Sequence, residues 1–118
     1  MSQARALLKN IHSSPRKMRL VIDLIRGKSY PEALGILQFS NHHASIEAEK
    51  TLRSAKANLN LIRRENGDGM EYEDENIFIK EVFVNQGPTM KRMLPAPQGR
   101  AYRVRKRSNH LTIVVAGK

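Results

Sequence analysis

Cysteine and tryptophan are both absent from these 118 residues. Without cysteine there is no disulfide framework, no thiol catalysis, and no cysteine-ligated zinc or iron–sulfur centre. Aromatic residues amount to only 5%, too few to build the base-stacking sheet surface of an RNA-recognition motif. No KH-type G-x-x-G loop and no P-loop occurs. No apolar run approaches the roughly 18 residues that a membrane-spanning helix needs. The opening residues Met1 to Arg5 lead into a short apolar patch without a signal-peptide core. A soluble intracellular chain is therefore expected, and the lack of a transit-like extension points to the cytoplasm. A mass of 13.4 kDa leaves room for one core.

The most informative absence is that of carboxylates. Lys and Arg number 21 against 11 Asp and Glu, a formal net charge of +10. Residues 1–60 hold ten of the cations and four of the anions, residues 61–81 three and seven, and residues 82–118 eight and none. Solvated surfaces ordinarily intersperse both signs, so an acid-free segment of this length points to a polyanionic partner. A disordered basic tail is the plain alternative. The closing run Leu111-Thr112-Ile113-Val114-Val115 argues instead for an ordered, basic β element.

Residues 4–11 read as a short strand. Ser14 is a candidate N-cap with Pro15 in the first helical turn, and Met18, Val21, Ile22 and Ile25 form an apolar stripe that Gly27 ends. Ser29 and Glu32 have capping-box spacing before a short helix that buries Ala33, Ile36 and Leu37. A third helix is expected from about Asn41 to Arg64, with the stripe Ala44, Ala48, Leu52, Ala55, Leu59 and Ile62. Asn66-Gly67-Asp68-Gly69 breaks it. The acidic stretch Glu71 to Glu75 does not match an EF-hand loop and reads as solvated. Ile77 to Val84 is strand-rich with imperfect alternation, as if both faces were partly covered.

From Tyr102 to Val115 neither proline nor glycine intervenes. One parity is basic in its first half (Arg103, Arg105, Arg107) and apolar in its second (Leu111, Ile113, Val115). Either a β-bulge produces the switch, or the strand outruns the body it packs on. Fourteen residues at about 3.3 Å each would span roughly 46 Å. The second reading predicts a protruding hairpin over about 82–108 with its tip at about 86–101. Met90, Met93, Leu94, Pro95, Ala96 and Pro97 have no acidic neighbour there, so such a hairpin needs a partner offering both stacking surface and phosphates. Structured RNA offers both.

Three cationic patches emerge. They are Arg16, Lys17 and Arg19 at a helix start; Lys50, Arg53 and Lys56 every third residue along the third helix; and Lys91, Arg92, Arg100, Arg103, Arg105, Lys106 and Arg107 in the acid-free segment. Arginine suits bidentate phosphate contact, and the pattern predicts binding through backbone and shape. His12, His42, His43 and His110 could serve general acid–base cleavage of RNA. They form no recognisable constellation, and adjacent His42 and His43 lack metal-ligand spacing. No catalysis and no cofactor are expected. A DNA-compacting architectural protein is the alternative of a different class, since such proteins wedge proline and apolar residues into the minor groove.

The residues also carry a family resemblance. The motifs are Ser14-Pro15-Arg16-Lys17, Arg19-Leu20-Val21-Ile22-Asp23-Leu24-Ile25-Arg26-Gly27-Lys28 and Leu52-Arg53-Ser54-Ala55-Lys56-Ala57-Asn58. Then come Gly87-Pro88-Thr89-Met90-Lys91-Arg92, Gly99-Arg100-Ala101 and Lys106-Arg107-Ser108-Asn109-His110. In this order they resemble the large-subunit ribosomal protein family numbered twenty-two, in its bacterial or organellar form. The resemblance implies an α+β fold: three helices packed on a small three-stranded antiparallel sheet, with a long protruding β-hairpin. It implies a structural constituent that binds large-subunit ribosomal RNA, supports subunit assembly and lines the nascent-peptide exit tunnel. Neighbouring large-subunit proteins and the nascent peptide are the further partners; no homo-oligomer is expected. Within these motifs it adds Ser14, Arg26, Lys28, Asn58 and His110 to the expected RNA contacts. It assigns Met90 and Met93 to Gly99 to the tunnel tip. Where the family commonly has Pro-Arg-Ala-Lys-Gly-Arg, this chain has Pro95-Ala96-Pro97-Gln98-Gly99-Arg100, without two of the cations and with an added proline.

Overall fold

The computed structural model describes residues 3–65, 72–95, 99 and 101–117, with backbone only at 92, 94–95 and 101–104. The chain order is β1 (Gln3–Ile11), α1 (Pro15–Asp23), α2 (Tyr30–Gln38), α3 (Ser45–Glu65), a 3-10 turn (Asp74–Asn76), β2 (Ile77–Gln86), β3 (Met90–Pro95), β4 (Ala101–Lys106) and β5 (Asn109–Gly117). Strands β1, β5 and β2 form an antiparallel sheet in that spatial order, and β3 pairs with β4 in a second, two-stranded sheet. The α+β class expected from sequence is the observed one.

Core composition follows from the two periodicities. Met18, Val21 and Ile22 of α1, Ala33 and Leu37 of α2, and Ala48, Leu52, Ala55 and Leu59 of α3 are buried against Leu111, Ile113 and Val115 of the central strand. The alanines let α3 lie close to β1 and β5. Ile36 and Ile62, expected in the core, are only partly buried at its margin.

The helix ends depart from expectation in instructive ways. Ser14 does cap α1, its Oγ accepting from the Lys17 N–H at 3.3 Å. The α-helix stops at Asp23, before Gly27. The chain then tightens: Leu24 and Ile25 donate three residues back, to Val21 and Ile22, and Gly27 closes the turn at φ 76°. That turn keeps Ile25 fully buried. Ser29 sits at the N-cap of α2 but makes no side-chain cap bond, so the capping-box reading holds for position only. Residues 41–44 precede α3, which starts at Ser45.

The imperfect alternation of β2 has one cause. Its register to β5 slips between Ile79 and Glu81, leaving Lys80 as the extra residue of a β-bulge. The bulge brings Ile77, Ile79, Val82 and Val84 onto one buried face and leaves Phe83 half-exposed on the other. A second bulge lies in β1, where Leu8 pairs with Leu111 but Ile11 with Asn109. Asn10 there has φ 58°, a left-handed conformation that asparagine tolerates better than most residues.

The expected unbroken strand from Tyr102 to Val115 is divided at Arg107-Ser108. The switch from basic to apolar coincides with that break, not with a single strand outrunning its body. Opposite it, Gly87-Pro88-Thr89 separates β2 from β3. The β3–β4 pair continues beyond the core, in register from Met90↔Lys106 to Pro95↔Ala101. The molecule measures 67 × 27 × 16 Å with a radius of gyration of 17.7 Å, against about 13.5 Å for a compact chain of this length. The expected tip residues Ala96, Pro97 and Gln98, and the expected contact Arg100, lie outside the described residues.

Leu111 is fully buried at the centre of the sheet. Leu111→Ala should lower the unfolding free energy by about 2–5 kcal/mol in urea denaturation. A negligible loss would show that the apolar half of β5 is not the core strand.

Candidate nucleic-acid interface

The three sequence patches fall on three different parts of the molecule. The first lies on α1, which packs along β2, the edge strand opposite β1. An open edge presents unpaired backbone groups, and proteins rarely leave one bare. Here arginines cover it. The Arg19 guanidinium donates to the Val84 carbonyl at 3.1 Å, and Arg26 to the Val82 carbonyl at 2.7 Å. The backbone completes the seal: the Ile79 N–H donates to the Lys28 carbonyl at 2.9 Å, and Ser29 bridges Phe78. Arg26 also meets Asp23 at 3.4 Å. Arg16, Lys17 and the Lys28 side chain remain exposed. Arg19 of this patch thus joins Arg26, which follows α1, in sealing the edge, while Arg16, Lys17 and Lys28 are outward cations.

The second patch lies on α3, which packs along β1. Lys56 is a tether: its Nζ meets Asp74 at 2.6 Å and lies 4.9 Å from the centre of the Tyr30 ring, tying three elements together. Arg53 pairs with Glu49 one turn back at 2.9 Å. Asn58 donates to the Arg5 carbonyl of β1 at 3.0 Å, which clasps the helix to the other sheet edge. Lys50 and Arg53 are the exposed cations of this group, and Lys56 is partly buried.

The third patch occupies the outer hairpin. Lys91 stands directly opposite Arg105 in the register, and Met90 opposite Lys106. Like charges facing across a strand pair repel, and residues 82–118 contain no Asp or Glu. Lys91, Arg105, Lys106 and Arg107 are exposed, as are Met90 and Met93, the latter 66% accessible. Arg92 and Arg103 lie on β3 and β4, and Leu94 and Pro95 end β3; their side chains are outside the described set. Gly99 has φ 75°.

His110 proves to be an anchor at the root of this hairpin. Its Nδ1 accepts the N–H of left-handed Asn10 at 3.0 Å. Its neighbour Asn109, fully buried, donates from Nδ2 to the Ser13 carbonyl and to Ser13 Oγ, both at 2.9 Å. Ser108 Oγ donates to the Pro88 carbonyl at 2.7 Å, and the Gly87 N–H to the Ser108 carbonyl at 2.9 Å. A Cβ on Gly87 would lie 2.6 Å from Ser108 Oγ, so this close crossing favours glycine. Sequence reasoning did not single out Asn10, Ser108 or Asn109. Their partners are about 20 to 100 residues away, and no local pattern signals them.

Among the described residues no group of three His, Cys, Asp or Glu side chains is placed to hold a metal ion, and no helix is long and apolar enough to cross a membrane. The extension, its exposed cations and its pinned root form one continuous basic feature on an otherwise packed α+β body. Comparison with known proteins identifies the family. The profile described as "Ribosomal protein L22p/L17e" matches residues 6–116. The chain belongs to this family. It is 54% identical over 113 residues to the protein named "Large ribosomal subunit protein uL22" from Chlorobium phaeobacteroides, covering 96% of this chain and 93% of the relative. The protein of the same name from Chlorobaculum tepidum is 50% identical, with 96% and 92% covered. The one from Bacteroides thetaiotaomicron is also 50% identical, with 96% and 79% covered.

The division of the α1 patch is testable on the free L22p/L17e-family chain. Arg26→Ala should cost about 1 kcal/mol in urea denaturation, discounted for its partial exposure. Arg16→Ala should stay within about 0.5 kcal/mol. Equal losses would contradict the edge-sealing role.

Proposed function

We propose that this chain is a structural, non-catalytic constituent of the large ribosomal subunit, which binds large-subunit ribosomal RNA and supports subunit assembly. In a bacterial cell that places it in the cytoplasm. The observation that carries the reading is the β3–β4 ladder. It continues a family-typical body into a strand pair with opposed cations, exposed methionines and no carboxylate in the segment. A strand pair of this composition is stabilised by a partner that supplies phosphates and stacking surface together.

In this reading Arg16, Lys17, Lys28 and Lys50 meet phosphates around the body, and Lys91, Arg105, Lys106 and Arg107 meet them along the extension. Arg19, Arg26, Arg53, Lys56 and Asn58 first hold the elements that present those cations. The hairpin runs into the RNA mass and, by the family resemblance, reaches the wall of the nascent-peptide tunnel. The tip residues Met90 and Met93 to Gly99 are nearest the peptide, and neighbouring large-subunit proteins complete the surroundings. The elongated 67 Å form is consistent with such a reach.

Sedimentation of cell lysate through sucrose gradients tests this directly. The chain should remain in the large-subunit peak through a high-salt wash. Release to the top of the gradient, or migration with nucleoid DNA, would contradict it and favour the architectural DNA-binding alternative. At the residue level, Lys91→Ala and Arg105→Ala should each weaken binding to large-subunit RNA and flatten its salt dependence by about one unit or less. An unchanged slope would show that the residue does not reach a phosphate.

A further inference from the structure

Between body and hairpin the strands leave a cleft of about 770 Å³. It lies within the range of pockets that hold small organic ligands, roughly 300–1,000 Å³. Its walls come from two sides. His12, with Asn10, supplies the body side; Pro88, Met90, Lys106 and Arg107 supply the hairpin side, over Ser108.

The walls are braced independently of any ligand. Asn10 is held in its left-handed turn by the bond from its N–H to His110. Pro88 is held by Ser108 Oγ, and the Gly87–Ser108 crossing fixes how close the two strands come. Most of the polar groups facing this space have other duties nearby in the fold, yet His12, Lys106 and Arg107 are exposed. Among the described residues none forms an ion pair with Lys106 or Arg107, and no carboxylate lines the cleft.

The chemistry of the lining is mixed in a specific way. A flat proline ring, a thioether and an imidazole offer faces for a planar, polarizable group. The lysine and arginine beside them offer charge to an anion. A nucleotide unites these two features, with its base for stacking and its phosphate for the cations. A base within a duplex is already stacked and paired and cannot enter. The adjoining cleft, of about 500 Å³, shares Asn10 and His12 and carries Lys9, His43 and Lys50 together with one carboxylate, Glu47. Cations thus continue along the surface from one cleft into the next.

We propose that the cleft at the root of the hairpin receives a single unstacked nucleotide of ribosomal RNA, its base between His12 and the Pro88–Met90 wall and its phosphate on Lys106 and Arg107. This rests on the RNA-binding reading above and adds to it a defined subsite with a base-contacting residue, His12. The root of the hairpin is then more than a joint. Inserting a nucleotide there fixes the register of the protein on the RNA.

Base-specific chemical footprinting of the full chain on large-subunit ribosomal RNA tests the assignment. At saturating protein, the wild type should protect the base of an unpaired nucleotide. His12→Ala should raise the reactivity of that base by roughly tenfold, the usual effect of losing a stacking partner, and leave the rest of the footprint in place. His12→Phe should keep the base protected. Arg107→Ala should weaken binding overall and reduce its salt slope by about one unit. Protection confined to paired nucleotides, or a footprint that His12→Ala leaves unchanged at every base, would overturn the subsite while leaving RNA binding intact. Absence of any footprint would overturn both readings together.

Discussion

Two antiparallel ladders joined end to end govern this molecule. The inner one, β2 on β5, lies in the core and is stabilised by burial of Ile77, Ile79, Val82 and Val84 against Leu111, Ile113 and Val115. The outer one, β3 on β4, forms a separate two-stranded sheet on which Met90, Lys91, Met93, Arg105 and Lys106 are exposed. Between them the chain crosses at Gly87 and Ser108 closely enough to favour glycine over any side chain. The helices of the body pack on the inner ladder, and the extension continues from it. A two-stranded ribbon is marginal by itself in water, so the outer half depends on its surroundings in a way the inner half does not.

Charge follows the same division. On the body, several cations are consumed by the protein. Arg19 and Arg26 occupy the carbonyls of the β2 edge, where exposed pairing groups would otherwise invite a second strand. Lys56 joins α3 to Tyr30 and Asp74. On the extension, Lys91 faces Arg105, and like charges opposite one another disfavour the strand pair. The protein thus separates cations that hold the fold together from cations displayed on the extension. Membership of the L22p/L17e ribosomal family accords with that separation.

Much of this was legible in the amino-acid order, and the misses share a cause. The apolar stripes of α1 and α3 identify core residues because a 3.6-residue period is local. The acid-free segment marks the extension because charge imbalance survives any folding. The bulge at Lys80 could not be read, because alternation broken by one residue looks like a strand covered on both faces. The break at Arg107-Ser108 was hidden because no proline or glycine marks it; it coincides with Ser108 bonding to Pro88, 20 residues away. The functional patches were found as patches, but the roles of Arg19, Arg26, Lys56 and Asn58 within the body depend on partners remote in sequence. The same holds for the root cleft, whose walls come from three separate stretches of the chain.

The central claim is that body and extension are stabilised by different things: one by its core, the other by RNA. Amide hydrogen exchange of the full chain, free and bound to large-subunit ribosomal RNA, measures this most directly. The account predicts strong protection of Leu111 to Val115 in both states, with Met90 to Leu94 and Ala101 to Lys106 exchanging rapidly when free and slowly when bound. Protection of the outer strands equal to that of β5 in the free protein would contradict it.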